Sequence, residues 1–175
     1  MQYLAVGCRA AIAVVFALAV AGKTLGSGSF ADFRRSLVRM GAVSERLAAP
    51  VARATVTAEA LTLVLVVIPL RVTAVAGCAL AALLTTAFSS AILRSLHRGN
   101  RAPCRCFGRS STPLGPRHLV RNAVLLLLSL LGTAVTFSTG ALQLTGALVA
   151  LIAGLFAGLA IAAFEDIAQL VVPLA

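Results

Sequence analysis

Long apolar stretches alternate along the chain with short segments dense in arginine. Five stretches, at about Leu4 to Gly22, Ala54 to Leu70, Val72 to Leu93, Leu119 to Phe137 and Ala141 to Ala163, approach the roughly 20 residues a helix needs to cross the hydrocarbon core. Pro69-Leu70-Arg71 separates the second from the third, and Ser138-Thr139-Gly140 separates the fourth from the fifth. Joints this short predict antiparallel neighbours. The expected fold is an all-α integral membrane protein, a compact antiparallel bundle of four to five transmembrane helices. It forms one domain over residues 1–175, with basic loops at 23–53 and 94–118.

Two finer patterns sharpen this picture. In the first loop Phe30, Phe33, Leu37 and Met40 recur at helical spacing while Arg34, Arg35 and Arg39 fall on other faces, which predicts a short helix lying in the membrane interface. Ser29 with Asp32 resembles a capping box, and Gly41 is a natural terminator. In the last stretch Gly146, Ala150, Gly154, Gly158 and Ala162 form a stripe of small residues, which lets another helix approach closely. Packing inside the bundle accounts for the stripe more simply than a homodimer does, although both use the same surface.

Composition agrees with a bilayer setting: 60% of residues are hydrophobic and 11% charged. The net charge of +10 is not a nucleic-acid footprint, because the arginines sit in short loops without interleaved aromatic stacking residues. They read as topology signals and contacts to lipid headgroups. Leu4-Ala5-Val6-Gly7-Cys8 resembles a lipoprotein processing site, but too little precedes it, and the apolar run continues beyond it as a first transmembrane helix. One face collects thirteen basic residues: Lys23, Arg34, Arg35, Arg39, Arg46 and Arg53, then Arg94, Arg98, Arg101, Arg105, Arg109, Arg117 and Arg121. The other has Arg9 and Arg71. The positive-inside rule then expects the N-terminus of this multi-pass protein outside and the second basic loop in the cytoplasm; the expected membrane is a bacterial plasma membrane.

That loop carries Cys104-Arg105-Cys106-Phe107-Gly108, two thiols one residue apart among arginines. Positive charge favours thiolate, and a strained small-ring disulfide exchanges readily. A Cys-x-Cys can also be half of a zinc site, but only His97 and His118 lie nearby as further ligands, and no metal site is assigned. A purely structural loop staple is the third reading. Glu59 is an acid inside the second stretch, and Lys23 ends the first at the same face, so they can form a structural clamp. Alternatively Glu59 handles protons for a thiol. Cys8 and Cys78 lie near the opposite face as a second potential pair, read more simply as small apolar residues. Arg9 is expected to snorkel to the headgroups, and His97 and His118 to be ordinary interfacial residues.

Taken together, Arg9 and Phe16, Gly22-Lys23, Glu59, Cys104-Arg105-Cys106-Phe107-Gly108 and Leu119-Val120-Arg121-Asn122 resemble the methylamine-utilisation MauE family, related to DoxX-like membrane proteins. The resemblance covers most of the chain, and Cys-x-Cys-Phe-Gly is its most specific element. It implies a redox-associated membrane protein that helps process, transport or mature the disulfide-rich small subunit of methylamine dehydrogenase beside a thioredoxin-like partner. Carried onto this chain, Cys104 and Cys106 are the redox pair, and Lys23 and Glu59 are matching polar positions that could support it.

The leading expectation is membrane thiol-disulfide exchange, or maturation of a disulfide-containing client. A non-enzymatic scaffold or chaperone that docks a partner through its basic loops is the alternative, and a small-solute transporter built around Glu59 a weaker one. No paired broken helices favour the transporter. No cofactor motif is identified; a quinone is compatible with thiol chemistry, but no residue pattern points to one. Expected partners are membrane lipids, a thioredoxin-like protein or disulfide-containing client and a second copy of the chain, with no nucleic acid.

Overall fold

Each of the five apolar stretches forms a helix, and a shorter helix precedes the second of them. The computed structural model describes residues 1–100, 115–137 and 143–171, the last seven by backbone alone. The helices are α1 (Gln2–Thr24), α2 (Ser29–Arg39), α3 (Glu45–Val67), α4 (Arg71–His97), α5 (Pro116–Thr136) and α6 (Leu144–Val171). All but α2 contain a stretch long and apolar enough to cross a membrane, as an all-α integral membrane protein requires.

The helix ends depart from the apolar boundaries for local reasons. α3 begins at Glu45, well before the predicted Ala54, with Ser44 in extended backbone as its N-cap residue. Arg46, Leu47, Ala48 and Ala49 are good helix formers whatever their polarity, and the helix absorbs Pro50 with the loss of one backbone hydrogen bond. α2 starts where expected, but its N-cap is Gly28 at φ 88° and Ser29 is the first helical residue, so the capping box read from Ser29 is not formed. Asp32 instead pairs with Arg35. The predicted terminator is real. Gly41, at φ 67°, donates to the Val38 carbonyl while Ala42 donates to Leu37, a Schellman ending.

α1 is the hub. It packs against α6, α3 and α5, while α4 lies against α5 and α3. The second and third spans turn through Ile68, Pro69 and Leu70 as the short joint predicts. The joint predicted at Ser138-Thr139-Gly140 lies outside the described residues. Although α5 precedes α6, the two touch only slightly, and α6 lies along α1. Its small stripe is the cause. A Cβ on Gly154 would stand 2.3 Å from the Gly7 carbonyl oxygen, one on Gly158 2.7 Å from that of Ala11, and one on Gly146 2.5 Å from the Tyr3 ring. Residue numbers rise together along this seam, so α1 and α6 run parallel, as the first and fifth of five alternating crossings must. The stripe is occupied within the protomer.

Arg9 does not snorkel. Half-buried, it donates from Nε to the Val66 carbonyl at 2.8 Å and from Nη2 to that of Ile68 at 2.6 Å, satisfying the open carbonyls at the end of α3. A cation there also meets the negative end of the helix dipole. Arg9→Met should therefore destabilise the bundle by about 2 kcal/mol, the scale of charged hydrogen bonds to otherwise unpaired carbonyls. Detergent-solubilised protein titrated with sodium dodecyl sulfate and followed by circular dichroism would measure the loss; an unchanged midpoint would remove Arg9 as a cap.

α2 spends its apolar face on protein. Phe33, Leu37 and Met40 pack with Ala52 and Ile92 in a core cluster, leaving Arg34, Arg35 and Arg39 exposed. The helix closes the basic end of the bundle. The rings expected to face acyl chains pack instead on the bundle, which supplies their apolar partner, and only the charged face of α2 is left exposed.

Candidate functional site

The last turn of α1 carries Lys23 inward, and the middle of α3 presents Glu59 to it. The Lys23 ammonium donates to Glu59 Oε1 at 2.7 Å and Oε2 at 2.8 Å, with each side chain 1% exposed. It also reaches the Ala19 carbonyl at 3.4 Å, while the rings of Phe33 and Phe88 stand 5.0 and 5.9 Å from it. Four helices therefore build the pocket of this one cation: α1 and α3 supply the ion pair, α2 and α4 its aromatic walls. The clamp anticipated between Lys23 and Glu59 is formed. Both carboxylate oxygens are engaged, so proton handling by Glu59 would require it to let go of Lys23.

α5 extends this polar centre. Its buried face runs His118, Arg121, Asn122, Leu125, Ser129 and Gly132, one helical stripe that is polar at the basic end. Arg121 is 3% exposed and within electrostatic range of Lys23. Asn122 Nδ2 donates to Ser89 Oγ of α4 at 3.3 Å. His118 was expected in the interface but is buried, whereas His97 is exposed as expected. The spacing of 118, 122, 125, 129 and 132 was visible in the sequence. A basic loop ordinarily implies headgroup contacts, but here packing against the bundle draws this face inward.

Cys104 and Cys106 lie outside the described residues. Both flanks of their segment are at this end of the bundle. On one side Asn100 Nδ2 donates to the Arg39 carbonyl at 2.6 Å and Ser95 Oγ to the Asn100 carbonyl at 3.1 Å. On the other, Gly115 is the N-cap of α5, one turn before His118. Among the described residues no three His, Cys, Asp or Glu side chains converge as metal ligands do.

Cys8 and Cys78 do come together, but at the other end. Both thiols are free and buried, and a Cβ on Gly132 would lie 3.1 Å from Cys78 Sγ and 3.5 Å from Cys8 Cβ. The run of α1 from Cys8 to Lys23 is roughly 22 Å at 1.5 Å per residue. Cys8 and Cys78 are thus separated by most of that distance from the end of the bundle that carries Lys23.

An arginine of α1 capping the end of α3, a buried lysine at the end of α1, its acid in α3 and a polar start to α5 all lie within the first five helices. The family model for methylamine utilisation protein MauE matches residues 1–135, essentially these five helices without α6. No curated protein and no solved structure matches the chain. With five helices among the described residues long and apolar enough to cross a membrane and this match over most of its length, the chain is a multi-pass membrane protein that belongs to the methylamine utilisation protein MauE family.

Proposed function

We propose that this protein is a methylamine-utilisation membrane factor that exchanges thiols and disulfides with a client protein, using Cys104 and Cys106. The observation that supports the reading is the buried Lys23–Glu59 pair, walled by α2, α4 and α5, at the end of the bundle where both flanks of the cysteine segment are held. An ion pair sunk in a membrane domain is costly and marks function more often than stability. In this reading Lys23 and Glu59 are positioning residues that hold together the end of the bundle to which the described flanks, Asn100 and Gly115, belong.

The exchange balances in two steps. One thiolate attacks a client disulfide, its S–S bond breaks, and a client thiolate leaves from the mixed disulfide. The second cysteine, deprotonated, attacks that mixed disulfide and releases the client's other thiolate. Two electrons pass to the client, and a Cys104–Cys106 disulfide remains. A thioredoxin-like dithiol is the reductant that restores it.

The reading puts this chemistry in the cytoplasm. Its support is the charge asymmetry, which survives when the basic side chains engaged by the bundle are set aside. Lys23 and Arg121 are buried, Arg9 caps α3 and Arg98 meets the Gly41 carbonyl, so ten basic residues stand against Arg71 alone. Acid quenching of cells followed by alkylation should show Cys104 and Cys106 cycling between oxidised and reduced forms, and a membrane-impermeant maleimide should label them only from the cytoplasmic side. Cys8 and Cys78, buried, should stay unlabelled until the protein is denatured. A pair that never changes redox state, with a fully active Cys104→Ser/Cys106→Ser variant, overturns exchange.

Docking without exchange is the second reading, favoured by the exposed Arg34, Arg35 and Arg39 on the outer face of α2. In that case the double serine variant keeps client binding, and charge reversal in the basic loops abolishes it.

A further inference from the structure

Between the α2–α3 turn and α4 lies a cleft of about 370 Å³, within the range of small-ligand sites. Its wall is apolar, including Leu37, Leu84, Phe88 and Ala91, and among the described residues its lining contains no acidic side chain. Arg94 and Arg98 also line it, four residues apart and therefore on one face of the last turns of α4. Both arginines are exposed, and Arg98 Nη1 lies 3.4 Å from the Gly41 carbonyl, which ties it to the α2–α3 turn. The cleft thus grades from apolar, at the depth of Phe88, to cationic at the basic end of the bundle.

That gradient matches one occupant. An aqueous anion would find no use for the apolar wall, and a neutral lipid none for two arginines. We propose that the cleft binds an anionic phospholipid, its acyl chain against Leu37, Leu84 and Phe88 and its phosphate held by Arg94 and Arg98. Basic side chains at the headgroup level attract anionic lipids, and the apolar wall adds the burial of methylene groups. The site is independent of thiol exchange. It shares Phe88 with the Lys23 pocket, so an occupant would rest against the ring that faces that cation.

The full chain, purified in a neutral detergent, can be titrated with phosphatidylglycerol and phosphatidylcholine of identical chains and read by native mass spectrometry. Wild type should retain phosphatidylglycerol at least tenfold better. Arg94→Gln/Arg98→Gln should lose about thirtyfold in that retention, at about 1 kcal/mol per basic residue and 1.4 kcal/mol per decade. Ala91→Phe, which fills the cleft without changing charge, should also weaken it. Arg34→Gln/Arg35→Gln, on the outer face of α2, should match wild type. Equal retention of both lipids overturns the site, as does an unchanged preference in the Arg94/Arg98 variant or an equal loss in the α2 variant. Displacement of the lipid by millimolar inorganic phosphate would also overturn it, since the anion alone would then be recognised. Circular dichroism melts of each variant separate loss of the site from loss of the fold.

Discussion

Glu59→Gln should destabilise the folded protein by about 3–5 kcal/mol, the cost of removing one partner from a buried ion pair. The neutral amide leaves Lys23, 1% exposed, without its counter-charge, and Arg121 within electrostatic range adds a second cation to the same region. Water cannot compensate, because α2 closes the end of the bundle over the pair through Phe33. Lys23→Met should cost a similar amount by stranding the carboxylate. The Lys23→Met/Glu59→Met double variant should recover most of either loss, since apolar replacements of a buried pair are often neutral or better. Unfolding midpoints of the four proteins in detergent measure the coupling. A Glu59→Gln protein as stable as wild type would exclude the clamp.

The same four proteins separate two roles. If Lys23 and Glu59 only hold the basic end of the bundle together, the folded double variant exchanges thiols normally with an unchanged pH profile. If Glu59 moves protons, the double variant folds and exchange still fails.

Gly154→Val should loosen α6 from α1, with a loss of at least about 3 kcal/mol, at the upper end of what overpacking costs. The first added carbon would stand 2.3 Å from the Gly7 carbonyl oxygen and 2.8 Å from Ala10 Cβ. Gly7 belongs to the backbone of α1 and cannot swing aside, so the whole helix must retreat. Small residues are what allow such contact in a membrane, where no hydrophobic force draws helices together and dispersion does the work. Gly146→Ala is the internal control. There the obstruction is the Tyr3 ring, the far end of a side chain that can move, at the loss of the Tyr3 hydroxyl's bond with the Gln143 amide. Its effect should be the smaller of the two. Cysteine cross-linking of α1 to α6, with native cysteines replaced, would report the separation directly, and equal effects at both glycines would refute the packing argument.

The spans were legible in the sequence because of solvation. A backbone in hydrocarbon must satisfy its hydrogen bonds internally, so an apolar run of sufficient length becomes a helix whatever its neighbours are. Lys23 and Glu59 were legible for the same reason: a charge placed inside a span needs a partner, and few were on offer. Arg9 was misread because its acceptors are main-chain carbonyls of Val66 and Ile68, and a carbonyl has no signature in sequence. Burial of His118 and Arg121 is not legible from composition, because basic residues near a span end usually reach for headgroups. Only the direction of the 118–132 stripe distinguishes that case from this one.

Chain order misled in one respect. α6 follows α5 through a short joint, yet its main partner is α1, since Gly154 and Gly158 match the Gly7 and Ala11 backbone. Apolar length and charge spacing dictate the number of helices, the asymmetry of their loops and the need to neutralise Glu59, because each follows from the free energy of moving a group between water and hydrocarbon. Which faces meet is a different problem. Packing alone assigned Arg9 to the end of α3, gathered Phe33, Phe88 and Arg121 around Lys23, and consumed the small stripe of α6 inside one protomer, because contact distances depend on all six helices at once.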